Sequence, residues 1–265
     1  MFKIGSIGAG HMGMAILDAM STTAREETAS ILVYELDPER RRAAKARGFI
    51  AAGNESEVYL NSQILLMAVR PQHCEGLLKK LSASAKRRTS PTIINIMAGI
   101  SSDFIRRHLG SDTHVITVMP TMGMKTGHGM AALSHTNHVP KDILSYITKI
   151  FTATGEAIVV DEPLLKDIVA VSGCMPGYVF YLIDAFAKGA KGVDYQTAAR
   201  MAARGFIGAA TQVLGGSGPA ELLSQVATPD GLTAQGIASF EQSKIAEMLA
   251  EGMEESVRRG YELAK

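Results

Sequence analysis

The feature that most constrains this chain is a glycine-rich turn within its first fourteen residues. A short apolar segment, residues 4–7, runs directly into Gly8-x-Gly10-x-x-Gly13, and apolar residues then recur at helical spacing. In such a strand–turn–helix unit the first glycine permits a tight turn and the second lets the backbone approach a pyrophosphate, while the third allows close helix–strand packing. Free N–H groups at the helix start favour phosphate. The pattern predicts a dinucleotide-binding site, with a tight turn that binds no ligand as the alternative.

The next 150 residues alternate between strand and helix patterns. Continuous apolar segments end in small or polar residues, as expected of parallel strands covered on both faces. Because ligands bind at the carboxyl ends of such strands, these ends should line one edge. We therefore predict an α/β fold with an N-terminal Rossmann dinucleotide-binding domain over residues 1–161. Its strands are expected at residues 4–7, 30–35, 64–69, 92–96, 115–119 and 156–160, with helices that include 38–47 and 141–154.

From Glu162 onward the strand patterns stop, and we predict an all-helical domain over residues 162–265. Small residues recur along it and permit close helix approach. Apolar faces this extensive on about 100 residues suggest burial against another subunit rather than a monomeric helical cap. Helices are expected at residues 164–188, 195–214, 220–225 and 233–264, with Thr233 as the N-cap of the last.

The end of the second strand carries two opposing indications of cofactor choice. Glu35 follows Gly13 by 22 residues, where a Rossmann site places the carboxylate that binds the adenosine ribose hydroxyls. A carboxylate there would repel a 2′-phosphate, so Glu35 favours NADH. The basic residues Arg40, Arg41 and Arg42 would favour NADPH if one side chain folded back, although a solvated helix face is the simpler interpretation.

Bulk composition excludes several other classes of function. The formal net charge of +1 does not indicate a nucleic-acid partner, and we expect no membrane span because no apolar run approaches the roughly 20 residues that one needs. The two cysteines and seven histidines show no metal-ligand spacing, so we expect no metal. The first strand begins too early for a signal peptide, and cysteine usage suits a reducing cytoplasm.

Two loops in the second half do not resemble simple connectors. Residues 172–178 interrupt a helical stretch, and residues 228–233 end at a helix N-terminus. A hydroxyl-bearing turn that leads into free N–H groups is suited to a carboxylate. A capped helix after a Pro-Asp-Gly turn needs no ligand and is the alternative.

Together these stretches resemble the pyrroline-5-carboxylate reductase family along essentially the whole chain. The resemblance implies a Rossmann domain followed by a helical dimerisation domain, which forms a homodimer or a higher homo-oligomer. It implies NAD(P)H-dependent reduction of a cyclic imino acid, 1-pyrroline-5-carboxylate to L-proline, in proline biosynthesis in the cytoplasm. The motifs that carry the resemblance are residues 8–13, Asn54, residues 68–72, Ala98-Gly99, Met119-Pro120, Ser172-Gly173 with Pro176 and Tyr178, and residues 228–233.

The resemblance also assigns roles to individual positions. Thr233 is the expected catalytic residue, which orients the ring nitrogen or relays a proton to it. The cofactor contacts it implies are Ile7, Gly8, Ala9, Gly10, His11, Met12, Gly13, Glu35, Asn54, Ala68, Val69, Arg70, Pro71, Ile96, Met97 and Ala98. The substrate contacts it implies are Glu162, Ser172, Gln225, Thr228, Gly231, Leu232 and Thr233.

The chain departs from the family pattern near the expected substrate loop, and two rival functions remain. Asp230 stands where a glycine is usual, Leu232 replaces a small polar residue, and Cys174 and Met175 alter the upstream loop. The first rival is a reductase of a small keto acid resembling the β-hydroxyacid dehydrogenases. The second is a nucleotide-binding homologue whose activity is lost or altered.

Overall fold

The computed structural model describes residues 3–23, 30–84 and 90–263 of the chain. It contains two compact units. The first takes in the chain up to Gly173 together with residues from Val257 onward, and the second is Cys174–Ser256.

The first unit contains an eight-stranded sheet in the order β3-β2-β1-β4-β5-β6-β7-β8. Neighbouring strands are parallel except β6 and β7, which are antiparallel, so β7 and β8 run opposite to the first six. Ile7 lies level with Tyr34 and Met67, so the residues that follow these three strands emerge side by side. The strands are β1 (Ile4–Ile7), β2 (Ile31–Tyr34), β3 (Ile50–Ala51), β4 (Ile64–Met67), β5 (Thr92–Asn95), β6 (Val115–Pro120), β7 (Gly129–His135) and β8 (Gly155–Val159).

Helices cover both faces of this sheet and bury a core on each. Ile64 and Leu66 of β4 belong to the core on one face, and Leu65 and Met67 to the core on the other. This explains why β4 has no polar residue. The helices are α1 (His11–Thr23), α2 (Pro38–Ala46), α3 (Glu55–Asn61), α4 (Cys74–Ser84), α5 (Ser102–Leu109), α6 (Lys141–Ala153) and the short α7 (Leu165–Ile168).

The predicted strands are confirmed to within two residues at either end, but the sequence assigned no strand at β3 or β7. β7 (Gly129–His135) consists of glycine, alanine, serine and three larger residues, with no β-branched side chain. Its pairing with β6 on one side and β8 on the other places it in the sheet. Tertiary context therefore overrides a weak intrinsic strand propensity.

The second unit is helical, as predicted, with two corrections. A single helix over residues 233–264 is wrong, because Lys244 adopts a left-handed φ of 54° between α11 and α12. Thr233 is not the N-cap: Gly231 holds that position and Thr233 lies in the first helical turn. The helices are α8 (Met175–Gly189), α9 (Tyr195–Leu214), α10 (Pro219–Val226), α11 (Leu232–Gln242) and α12 (Ile245–Leu263), the last of which ends in the first unit.

The interruption predicted at residues 172–178 is a change of helix type. Residues Val169–Gly173 form a π-helical turn, which a bend at Cys174 separates from α8. Pro176 lies in the first turn of α8, where its missing N–H leaves no hydrogen bond unmade.

The expectation that no apolar run has membrane length is wrong for one described segment. The helical turns from Glu162 to Gly189 comprise 28 residues, and their most apolar 18-residue stretch has a mean hydropathy of 1.5 and is only 6% buried. Polar residues such as Ser172 and Asp184 interrupt this stretch, so a search for unbroken apolar residues does not find it. Length and composition alone do not distinguish a lipid-facing helix from one that packs against protein.

Backbone contact between β7 and β8 makes Gly155 indispensable, and this can be tested. Its φ is +151°, and a Cβ there would lie 1.9 Å from the Gly129 carbonyl oxygen. We expect Gly155→Ala to lower the free energy of unfolding by roughly 2–4 kcal/mol. Gly76→Ala is the matched control because no atom lies within 4 Å of its added Cβ, and it should raise stability by up to about 1 kcal/mol. Equal urea midpoints for the two variants would contradict this assignment.

Candidate functional site

The glycine turn fixes the closest approach between β1, α1 and β4. Gly8 has a φ of +97°, and its N–H donates to the Tyr34 carbonyl at 2.8 Å. A Cβ on Gly8 would lie 2.4 Å from the Ala68 carbonyl oxygen, and a Cβ on Gly13 would lie 2.9 Å from the Ala68 Cβ. The first and third glycines are therefore required by the protein's own backbone packing.

Gly10 differs because its missing side chain leaves open space. The position a Cβ would occupy has one neighbour within 4 Å, Nη1 of Arg40 at 3.7 Å. Since the start of α1 presents free N–H groups here, a pyrophosphate can approach the backbone without a steric obstacle. The turn thus has the shape that a dinucleotide requires.

A cleft of about 710 Å³ opens over this turn. It gathers the residues that follow β1, β2, β4 and β5, all at the carboxyl ends of parallel strands. Its lining comprises Gly8, Gly10, His11, Met12, Gly13, Glu35, Leu36, Asp37, Arg40, Ala68, Val69, Arg70, Pro71, His73, Ile96, Met97 and Ala98.

Most of the predicted cofactor residues meet in this cleft, and three do not. Ile7 and Ala9 are buried, and each lines a neighbouring cleft instead. Asn54 instead caps α3, with its Oδ1 accepting from the Glu57 N–H at 2.9 Å. Leu36, Asp37 and His73 also line the cleft but were not predicted as site residues. Their positions could have indicated this, since Leu36 and Asp37 follow the end of β2 and His73 lies close to Pro71.

Glu35 contacts the protein backbone from a buried position. Its side chain is 8% exposed, Oε2 accepts from the Ala9 N–H at 2.7 Å and Oε1 accepts from the Asp37 N–H at 3.0 Å. The carboxylate therefore stabilises the glycine turn. A contact between Glu35 and a ribose stays a prediction.

A smaller cleft of about 350 Å³ shares Gly8, Glu35 and Leu36 with the larger one. Apolar side chains of Leu36, Val69 and Leu77 line it, which suits a flat aromatic ring. At its rim Lys80 Nζ donates to Glu55 Oε1 at 3.0 Å. Burial opposes ionisation of Glu55, but its own backbone N–H and the Lys80 ammonium outweigh burial, so the pKa of Glu55 is lowered. The Glu55 carboxylate in turn raises the pKa of Lys80.

The predicted substrate residues are divided between the two units. In the first unit, Glu162 Oε1 accepts from the Ser102 N–H at 2.7 Å, and Glu162 Oε2 accepts from the Ser102 hydroxyl. Ser172 Oγ donates to the Ile168 carbonyl at 2.9 Å. Both side chains are thus bonded within the first unit.

The remaining predicted substrate residues lie in the second unit, most of them at the start of α11. Gln225 Nε2 lies 3.4 Å from Glu221 Oε1 on α10. Asp230 has a left-handed φ of 59°, and Gly231 N donates to the Thr228 carbonyl at 3.0 Å. No side chain caps α11, so its first-turn N–H groups have no side-chain acceptor, and Leu232 is 96% exposed. This end of α11 has the free donors that a carboxylate requires.

Comparisons with known proteins match both halves of the chain. Residues 3–99 match the family described as NADP oxidoreductase, coenzyme F420-dependent, and residues 162–263 match the pyrroline-5-carboxylate reductase dimerisation family. Pyrroline-5-carboxylate reductases from Escherichia coli K12 and Methanosarcina acetivorans are each 30% identical, and each match covers 99% of this chain and 98% of the relative.

Solved structures show the same fold. A pyrroline-5-carboxylate reductase from Coxiella burnetii gives a TM-score of 0.88 at 24% identity, covering 100% of this chain and 99% of that one. The Plasmodium falciparum enzyme, solved with NADP bound, gives a TM-score of 0.88 at 20% identity, covering 100% of this chain and 98% of that one. Prephenate dehydrogenase from Aquifex aeolicus is a more distant neighbour, with a TM-score of 0.54.

The α/β sheet, the glycine turn and the matched oxidoreductase family define an NAD(P)H-dependent oxidoreductase of the Rossmann type. The full-length matches at 30% identity place the chain more narrowly: it belongs to the pyrroline-5-carboxylate reductase family. The resemblance inferred from the sequence is thereby confirmed, as is the α/β fold followed by a helical dimerisation region that indicates homo-oligomers.

Because the space at Gly10 is open, a substitution there should change the affinity for the dinucleotide without changing the stability of the protein. We expect Gly10→Ala to leave the urea midpoint unchanged, because the added Cβ meets only the flexible end of Arg40. The methyl group would occupy the path of the pyrophosphate, so affinity for reduced dinucleotide should fall by about tenfold or more. Fluorescence titration of NADPH measures this, with Gly252→Ala on α12 as the control, because its added Cβ has no atom within 4 Å. Undiminished affinity would show that no ligand approaches Gly10.

Proposed function

We propose that this protein reduces 1-pyrroline-5-carboxylate to L-proline with NAD(P)H, as part of proline biosynthesis in the cytoplasm. The observation that carries the proposal is the match of the entire chain, from glycine turn to helical region, to enzymes named for this substrate. The dinucleotide cleft supports it independently, since it joins the glycine turn to the ends of four strands.

The first unit supplies the binding surface for the cofactor. The Gly8–Gly13 turn and the N-terminus of α1 would hold the pyrophosphate, and the small residues after β5, including Ala98, would lie against the nicotinamide ring. When bound, the reduced nicotinamide supplies a hydride to the imine carbon. The residues of the cleft thus serve mainly to hold and orient the dinucleotide.

The start of α11 supplies what the substrate needs. Its uncapped N–H groups would bind the carboxylate, and the Thr233 hydroxyl would hydrogen-bond the ring nitrogen. A protonated imine is already electrophilic, and hydride addition gives a neutral amine, so no strong acid is obligatory. A hydroxyl that orients the nitrogen is therefore sufficient for this chemistry.

Keto-acid reduction is the less suited alternative. It requires a proton donor for the developing alkoxide, and the second unit contains no histidine. The Lys188 ammonium is paired with Asp184 at 2.6 Å, and the Tyr178 hydroxyl shares a hydrogen bond with Ser256. Two of the candidate donors in that unit, Lys188 and Tyr178, thus already have partners.

The exposed apolar side chains of the helical unit support assembly with a second copy. Tyr181 and Leu214 are 73% and 77% exposed, and Met201 and Met248 are also exposed. A surface this apolar is expected to be buried against another molecule. The match to a dimerisation family favours a protein partner over lipid. We therefore propose a homodimer, or a larger homo-oligomer, formed through the helical region. Among the described residues, neither Cys74 nor Cys174 forms a disulfide, in keeping with a reducing cytoplasm.

Substrate class is tested by following NADH and NADPH oxidation separately with several compounds. We expect turnover with pyrroline-5-carboxylate, and less or none with pyrroline-2-carboxylate, piperideine carboxylates and 2-keto acids. Turnover of keto acids alone would contradict imine reduction. Saturable cofactor binding without any turnover would instead support a homologue with lost activity, as Asp230 and Leu232 suggest.

The role of Thr233 is tested by removing its hydroxyl and then restoring it. We expect Thr233→Ala to lower kcat/KM by roughly 100-fold, because the ring nitrogen loses its partner, while Thr233→Ser retains most activity. Thr211→Ala is the control, since Thr211 is an exposed threonine on α9 that bonds only its own helix. Unchanged kinetics in Thr233→Ala would remove Thr233 from the active site.

A further inference from the structure

The three consecutive arginines at the start of α2 are not equivalent. Arg42 lies 3.9 Å from Glu39 in an exposed ion pair, and Arg41 lines neither the larger nor the smaller cleft described above. Arg40 lines the dinucleotide cleft, and its Nη1 comes within 3.7 Å of the open position above Gly10. Only Arg40 of the three is therefore directed towards the expected cofactor.

The local structure holds Arg40 in this place. Asp37 caps α2, with its Oδ1 accepting from the Glu39 and Arg40 N–H groups at 2.9 and 3.0 Å. The Arg40 N–H is the main reason that the pKa of Asp37 is lowered. Among the described residues, no carboxylate forms a salt bridge with the Arg40 guanidinium, so its donors are free for a ligand.

The groups around Arg40 distinguish the two possible dinucleotides. Arg40 also lines a third cleft, of about 540 Å³, beside α1. Lys125 lines this cleft as well. Glu35 is buried with both oxygens bonded to backbone N–H groups, and the neighbouring Leu36 is uncharged and exposed. In a Rossmann site the adenosine ribose lies between the glycine turn and the end of β2, and a nearby arginine accommodates the 2′-phosphate of NADPH. A guanidinium can donate two parallel hydrogen bonds to such a phosphate.

We propose that Arg40 binds the 2′-phosphate and that this protein prefers NADPH to NADH. The proposal deepens the proposed function, because it names the dinucleotide that serves the same site. It opposes the preference that Glu35 alone would indicate, since Glu35 presents its charge to the glycine turn while Arg40 presents its charge to the cleft.

The test uses adenosine 2′,5′-bisphosphate and 5′-AMP, which differ only in the 2′-phosphate, titrated calorimetrically into the intact protein. We expect the unmodified protein to bind the bisphosphate more tightly. Arg40→Gln should weaken bisphosphate binding by about tenfold or more, and 5′-AMP binding by less than about twofold. Arg41→Gln, one residue away, should change neither affinity, and Arg40→Lys should retain part of the preference.

Three results would overturn the proposal. They are an unmodified protein that does not favour the bisphosphate, an Arg40→Gln variant that retains the preference, and a variant that loses both affinities equally. Unfolding midpoints show whether Arg40→Gln is misfolded. If it is, Arg40→Lys replaces it in the titration. Failure of the proposed function is separate, because it would appear as no oxidation of either dinucleotide with the imino acid, whatever the calorimetry shows.

Discussion

The close approach of the glycine turn to the end of β4 determines the rest of the site. Gly8 and Gly13 both face Ala68, at distances that exclude any side chain. This contact sets the start of α1, and the bond from the Ala9 N–H to Glu35 ties the end of β2 to the same turn. Three strand ends are thereby held together before any ligand binds, and the cleft is preorganised.

The two units contribute different parts of the proposed reaction. The parallel strands β1, β2, β4 and β5, in a sheet buried on both faces, would place the cofactor through backbone groups and small side chains. The helical unit would contribute the uncapped start of α11 and the Thr233 hydroxyl. Reduction of a protonated imine requires mainly that the protein orient the two reactants, because no strong acid catalyst is needed. The helical unit is consistent with this requirement, because two of its candidate proton donors, Lys188 and Tyr178, are already hydrogen-bonded to other residues.

Elements with strong local signals could be predicted from the sequence, and those set by tertiary contacts could not. The strands buried on both faces and the glycine turn were predicted because apolar runs and glycine spacing encode them directly. β7 (Gly129–His135) has weak propensity and depends on two neighbouring strands. At the break between α11 and α12, Lys244 adopts a left-handed conformation, and a lysine in the sequence does not predict such a break. Likewise, the sequence presents three similar arginines, and only the packing of α2 distinguishes Arg40.

Hydrogen–deuterium exchange of the intact protein tests the proposed roles of the glycine turn and of the start of α11 most directly. NADPH alone should slow exchange in peptides covering residues 8–14 and 68–71, because its phosphates and ring cover those backbone N–H groups. Addition of L-proline to the NADPH complex should then slow exchange in residues 228–235 at the start of α11. Slowed exchange at α11 without any change in the glycine turn, or no response of α11 to the amino acid, would contradict this arrangement.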